Sequence, residues 1–349
     1  MRVVVTGASG NVGTSVLEAL AGEPEVKEIV GLARRVPQAS FPKVEWVGAD
    51  ITADDLAPIF AGADAVVHLA WAIQPSRDER VTERINVEGS RRVFDAVARA
   101  GVATVVHASS VGAYGPGPKQ RRVDESWPVD GIQTSFYSRH KAAVETLLDA
   151  FERRESEVRV VRLRPGLIFK SEAASEIRRL FAGPFLPGFL VQKRLIPVLP
   201  RVPRLRFQAV HSRDVGEAYR LALVRDVHGA FNIAAEPEIG VEQLCEFFGA
   251  RSVPLPAGVL RGAASLSWKL RLQPSSPGWI DLALGVPTMD VSRAREQLGW
   301  APTKTSLEAL DDLLQGMRHA EGAPTPPLEA TAGGPLRVRE LVTGVGQKQ

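Results

Sequence analysis

The run Thr6-Gly7-Ala8-Ser9-Gly10-Asn11-Val12-Gly13 decides the fold. It follows the apolar Val3-Val4-Val5 and leads into Val12, Val16, Leu17 and Leu20, which recur at helical spacing. Strand, glycine turn and amphipathic helix in that order open a dinucleotide-binding βαβ unit. Gly7 suits a tight turn, Gly10 lets a pyrophosphate approach the backbone, and Gly13 lets helix and strand pack closely. The helix N-terminus then offers an anion free N–H groups and a partial positive charge. A glycine-rich turn without a ligand would share the local pattern. The strand before it and the helix after it favour the dinucleotide.

Outward from this turn, β-branched runs recur at 28–33, 44–48, 65–70, 104–109 and 158–163. They are nearly continuous in apolar character, as strands covered on both faces must be. Helical stretches lie between them, as at Val93, Val97 and Ala100. The alternation predicts an α/β fold: a Rossmann-type doubly wound parallel sheet with right-handed crossovers and a smaller C-terminal substrate lobe. Residues 1–170 and 207–235 are expected to form the dinucleotide-binding domain. Residues 171–206 and 236–316 form the lobe, with substrate in the cleft between the two. The unpatterned tail, 322–349, reads as disordered.

Composition narrows the classes. With 44% hydrophobic and 24% charged residues, a largely disordered chain and a coiled coil are excluded. A formal charge of +3 is too small to indicate nucleic-acid binding. The single cysteine, Cys245, allows neither an intrachain disulfide nor a cysteine zinc site, which fits a cytoplasmic location. No apolar stretch approaches the ~20 residues of a transmembrane segment. The N-terminus reads as a buried strand rather than a cleavable leader. No two of the six histidines stand at metal-ligand spacing, so no metal is expected. His68 and His107 read as hydrogen-bonded core residues.

The second strand ends in Arg34-Arg35, where an NAD site usually carries an acidic residue for the ribose hydroxyls. A guanidinium there would pair with a 2′-phosphate, which favours NADP over NAD. A solvated arginine pair is the alternative. Asp50 could accept from the adenine amino group while Ile51 covers the ring. Tyr137-Ser138-Arg139-His140-Lys141 opens a helix on which Tyr137 and Lys141 share a face. An ammonium beside a phenol lowers its pKa, and such a tyrosine can exchange the proton that accompanies hydride transfer. The fifth strand ends in Ser109-Ser110 at the C-terminal sheet edge, where open α/β folds bind ligands. No GxSxG elbow surrounds Ser109, which weighs against a hydrolase.

Taken together, these segments resemble the extended short-chain dehydrogenase/reductase superfamily, in its NAD(P)-dependent epimerase/dehydratase branch. The resemblance covers about residues 1–316. The run at 6–13 resembles TGxxGxxG, and His68-Leu69-Ala70 resembles the segment that passes the pyrophosphate. Asn86-Val87-Glu88-Gly89 resembles NVxGT, with Ser90 replacing the threonine. Ser109 to Gly115 resembles SSxxxYG, Tyr137 and Lys141 match YxxxK, and Arg164-Pro165-Gly166 resembles the segment beside the nicotinamide. Val210 to Val215 resembles VHVxDxA.

The resemblance implies Ser110 on the reacting oxygen, Tyr137 as acid/base, and Lys141 on the nicotinamide ribose. It implies cofactor contacts from Gly7, Ser9, Gly10, Asn11, Val12 and Gly13, then from Leu69, Ala70, Ser109 and Pro165. Asn86 is expected to support the site from behind. The 4,6-dehydratases of the family carry an Asp-Glu pair where this chain has Val111-Gly112, so a dehydratase is not expected.

Between 177 and 213 the chain has eight Lys/Arg and no Asp or Glu, interleaved with Phe and Leu. This stretch reads as a grip on an anionic nucleotide sugar, as a basic lid over an apolar substrate or at a membrane surface, or as a solvated face. The expected activity is hydride transfer at a carbonyl or secondary alcohol carbon, by an NAD(P)-dependent oxidoreductase or epimerase. The alternatives are a sugar-nucleotide epimerase with retained NAD and a non-catalytic NADP sensor. The expected partner is a small-molecule substrate, and a homodimer is left open.

Overall fold

The computed structural model describes residues 1–73, 77–181, 196–273 and 275–329. Seven strands form one parallel sheet: β1 Arg2–Thr6, β2 Glu28–Ala33, β3 Val44–Gly48, β4 Ala65–His68, β5 Thr104–Ala108, β6 Arg159–Pro165 and β7 Gly229–Ile233. Their order is β3-β2-β1-β4-β5-β6-β7. The chain builds outward from β1 to β3, then crosses back to start the other half at β4. The turns leaving β1 and β4 therefore diverge and open a crevice at the carboxyl edge, the ligand position of doubly wound sheets. β1 and β4 are buried almost throughout, whereas β3, at the sheet edge, is half exposed.

Four helices cover the faces: α1 Asn11–Ala21, α2 Gly89–Ala100, α3 Phe136–Arg154 and α4 Ser212–Val224. One apolar core, with Val5, Leu17, Tyr219 and Phe231, lies between the sheet and α1 and α4. A second, with Val66, Phe94, Leu148 and Phe151, lies under α2 and α3. Close contact of α1 and α4 depends on Gly216, where a Cβ would stand 2.5 Å from Ser15 O.

Two expectations from the sequence need correction. Residues 207–211 do not return to the main sheet. Ala209–His211 pairs in parallel with Leu167–Phe169, the continuation of the chain beyond β6. At Gly166 the chain leaves the sheet, and Leu167 N donates to Gln208 O at 2.9 Å. β7 rejoins the main sheet and α4 covers it, and Val210 packs into the core beneath them. The tail is the second correction. Residues 322–329 turn back on themselves, with Ala323 N donating to Leu328 O and Leu328 fully buried, so apolar burial orders this stretch. Residues 330–349 and 182–195 lie outside the described residues.

Asp214 fastens the C-terminal part to α4. It accepts from Thr303 N at 2.9 Å, Thr303 Oγ1 at 2.6 Å and Lys304 N at 3.2 Å. Its own carbonyl accepts from the buried Trp300 Nε1. Asp214→Ala removes three hydrogen bonds to a buried carboxylate and should lower stability by about 3 kcal/mol in urea unfolding. A loss below about 0.5 kcal/mol, the level of an ordinary surface change, would remove Asp214 from this role.

Candidate active site

The glycine turn is built as its spacing demands. Gly7 has φ +70°, and a Cβ there would lie 2.7 Å from Ala70 N. A Cβ at Gly13 would overlap Gly7 O and Ala8 O. At Gly10 a Cβ would meet nothing nearer than Gly7 O at 3.5 Å, so that side of the turn is open. No side chain caps the N-terminus of α1, and the buried Asn11 Oδ1 has no hydrogen-bond partner. Uncapped N–H groups and an open glycine face fit a dinucleotide pyrophosphate.

Arg34 stands exposed just beyond β2, close enough to Asp50 to favour its charge. Burial opposes ionisation of Asp50, but hydrogen bonds from Thr52 N and Oγ1, at 2.8 and 2.7 Å, hold its pKa below the usual value. The Ile51 side chain is buried against α2, where a Cβ on Gly89 would stand 2.8 Å from Ile51 Cδ1.

At the other end of the crevice, Ser110 and the Tyr137 ring stand side by side, for a Cβ on Gly112 would meet Tyr137 Cε1 at 2.7 Å and Ser110 Oγ at 3.4 Å. Ser110 caps the short turn Val111–Ala113 by accepting from Gly112 N at 3.0 Å. Ser138 Oγ donates to Gly112 O at 2.5 Å and clamps that turn to the start of α3. Gly112 faces the phenol, and a Cβ there would lie 2.7 Å from Tyr137 Cε1. The position that carries an acid in dehydratases has no room for a side chain here.

The phenol stands between two tryptophans that the sequence reading missed. Trp279 is 5.1 Å from the Tyr137 ring centroid and Trp71 is 6.1 Å from it. Trp71 directly follows His68-Leu69-Ala70. Its loop is held by Asn86, which is fully buried, accepts from Ala72 N at 2.7 Å and donates to Ala72 O at 3.1 Å. An aromatic placed just after a pyrophosphate-type segment was the available signal for Trp71. Trp279 follows no motif.

Lys141 does not tune the phenol as expected. Its Nζ donates to Ala108 O at 2.6 Å and lies 3.4 Å from the Trp71 ring centroid. Burial lowers its pKa to about 7, with Glu145 opposing. Burial likewise pushes the Tyr137 phenol up to about 12, opposed by Ser110 alone. Desolvation dominates at both groups and favours their neutral forms.

Beneath them, the buried Glu145 accepts from Ser109 Oγ at 2.5 Å and from Arg164 Nε and Nη2 at 2.7 and 2.9 Å. Arg162 Nη1 adds a contact at 3.2 Å. Ser109 is thereby committed to the interior, and Pro165 closes the buried end of β6. His68 is hydrogen-bonded to Thr6 Oγ1 and Ser90 Oγ, as a core histidine should be. His107 differs: both ring nitrogens are buried without a partner, and burial holds its pKa well below the ordinary value.

Residues 3–234 match the NAD dependent epimerase/dehydratase family, and the chain belongs to it. Among solved structures it is similar to MoeE5 in complex with UDP-glucuronic acid and NAD, at 21% identity and TM-score 0.67, over 92% of this chain and 100% of that one. It is also similar to a UDP-glucuronic acid 4-epimerase from Bacillus cereus, at 17% identity and TM-score 0.66, over 91% of this chain and 99% of that one. At these identities the likeness is one of fold.

Among curated relatives, an uncharacterised Mycobacterium tuberculosis protein is 26% identical over 91% of this chain, which spans only 30% of that protein's length. A second one is 27% identical over 90% of this chain and 83% of its own length. The sterol-4-alpha-carboxylate 3-dehydrogenase of Saccharomyces cerevisiae is 27% identical over 48% of this chain and 43% of its own.

The Lys141 environment gives a pH test. Its pKa in the fold, about 7, lies below the roughly 10.4 of an unfolded lysine. The unfolded chain therefore binds more protons between those values, and this group's penalty on stability is full below pH ~7 and fades toward pH ~10. Lys141→Met should raise the melting temperature of the ligand-free protein most at pH ~6, with the gain shrinking at pH ~9.5. A gain independent of pH would show an unshifted lysine.

Proposed function

We propose that this chain is an NADP-dependent oxidoreductase that reduces a carbonyl on a predominantly apolar substrate, with Tyr137 as general acid and Ser110 as second donor. The observation that carries the reading is the adjacent Ser110 and Tyr137 side chains walled by Trp71 and Trp279. The residues from Gly7 to Gly13 would hold the pyrophosphate, Arg34 the 2′-phosphate, and Lys141 a ribose hydroxyl once it swings from Ala108 O. The bound dinucleotide supplies the hydride.

Charge balance assigns the remaining roles. Hydride arriving at the carbonyl carbon leaves negative charge on oxygen, and two hydroxyl donors within hydrogen-bond reach stabilise it. The Tyr137 proton passes to that oxygen, and the phenolate regains a proton from solvent as product leaves. A phenol raised to about 12 is fully protonated near neutrality, which suits the reducing direction.

The aromatic walls favour an apolar substrate over a diphosphate. Three arginines of the basic stretch also have partners. Arg204 donates to Leu284 O and Gly117 O, Arg206 faces Glu238, and Arg213 faces Glu18 and Glu172. The yeast relative, named as a sterol carboxylate dehydrogenase, agrees with a hydrophobic ring substrate.

Incubation with NADPH and a panel of cyclic and steroidal ketones tests this. Net NADPH consumption is expected, whereas an epimerase would return its hydride and leave the free pool unchanged. Tyr137→Phe should lower the rate by about 10²–10⁴ with dinucleotide binding retained. Full activity in that variant would remove Tyr137 as the acid. Arg34→Ala should weaken NADPH by about 1.5–3 kcal/mol, read by fluorescence titration, and leave NADH unaffected. Equal affinity of the native protein for both cofactors would overturn the NADP assignment.

A further inference from the structure

The helix Ala257–Lys269 has no buried residue, although its sequence is predominantly apolar. Val259, Leu266 and Leu270 fall at helical spacing on one face and are 55%, 60% and 60% exposed. Gly262 and Ala263 share this face, and nothing lies within 4 Å of where a Gly262 Cβ would be. Leu272 continues the patch at 54% exposure. An outward face of this kind on a fixed helix marks a contact surface rather than scattered apolar residues.

The helix is fixed from behind by polar contacts. Arg77 donates to Trp268 O at 2.6 Å and stacks 4.7 Å from the Trp268 ring centroid. Arg261 pairs with Asp281 at 2.7 Å, and Gln273 Nε2 donates to Ala264 O. The apolar side is thus held outward.

Charge indicates what covers it. Residues 251–273 contain Arg251, Arg261, Lys269 and Arg271 and no Asp or Glu. All four are exposed, but Arg261 is paired with Asp281, which leaves Arg251, Lys269 and Arg271 to meet an anionic partner. A second copy of the same face would bring like charges together. An anionic bilayer surface meets both requirements, taking leucines into the acyl boundary and cations at the headgroups.

We propose that the segment 257–272 is a membrane-surface docking element that lays its Val259–Leu266–Leu270 face on anionic lipid. The proposal stands apart from the catalytic reading, because its test needs no turnover. The full chain is sedimented with vesicles of phosphatidylcholine alone and with added phosphatidylglycerol, at low and high salt. Binding to the anionic vesicles is expected, weakened by salt and by Lys269→Ala/Arg271→Ala. Leu266→Glu/Leu270→Glu, both at exposed positions, should lower the partition coefficient at least about tenfold with the melting temperature unchanged. Failure of the native chain to bind anionic vesicles at low salt overturns the proposal, as does equal binding by the glutamate variant. A native dimer that this variant dissociates, with no vesicle binding, would assign the face to self-association instead.

Discussion

The site rests on one buried carboxylate. Glu145, on α3, is enclosed at the ends of β5 and β6, where Arg164 grips both of its oxygens and Ser109 donates to one. Burial alone would make Glu145 neutral, yet the arginines and the serine keep its pKa below the usual carboxylate value. An ion pair this deep does little for net stability, because desolvation offsets most of the attraction. What it fixes is geometry. Ser109 precedes Ser110, and Lys141 lies one helical turn before Glu145, so this carboxylate sets both against the same sheet edge. Arg164 extends the network to Tyr114, whose hydroxyl donates to Asn232 on β7. Three strands and one helix are locked in register behind the Tyr137 phenol.

That lock explains why the site can be so dry. Lys141 and Tyr137 are both held toward their neutral forms by burial. The isolated Tyr–Lys spacing suggests mutual tuning, but this requires the ammonium near the phenol oxygen, and Ala108 O and the Trp71 ring hold it elsewhere. A helix places two side chains on one face. It does not decide whether they meet.

The same distinction separates what the sequence disclosed from what it hid. The strands of the sheet were legible because burial on both faces demands unbroken apolar runs, and their ends fell within two residues of 2–6, 28–33, 44–48, 65–70, 104–109 and 158–163. The glycine turn was legible because backbone sterics admit few alternatives at Gly7 and Gly13. The pairing of 209–211 with 167–169 was not, since a three-residue strand carries too little periodicity to name its partner. The partnerless His107 and the buried Leu328 were also hidden, because both depend on packing with residues far away in sequence. Trp279 belongs to this group. It reaches Tyr137 only because Gly278 packs directly against Thr134 O and Ser135.

The two tryptophans also bear on how the turn and the cleft divide their labour. Trp71 is carried by the loop leaving β4, at the switch point of the sheet, and Asn86 clamps that loop from the π-helical turn Arg84–Glu88. Trp279 is carried by the lobe, on the helix Gly278–Gly285. One tryptophan thus comes from the sheet and its loops and the other from the segment after β7, with Tyr137 in contact with both. A flat aromatic wall excludes water and accepts many apolar shapes, but it offers few directed hydrogen bonds. The Ser110 and Tyr137 hydroxyls are the directed polar groups beside these walls, and the contacts of Gly112 and Ser138 hold the turn that carries Ser110 against the start of α3.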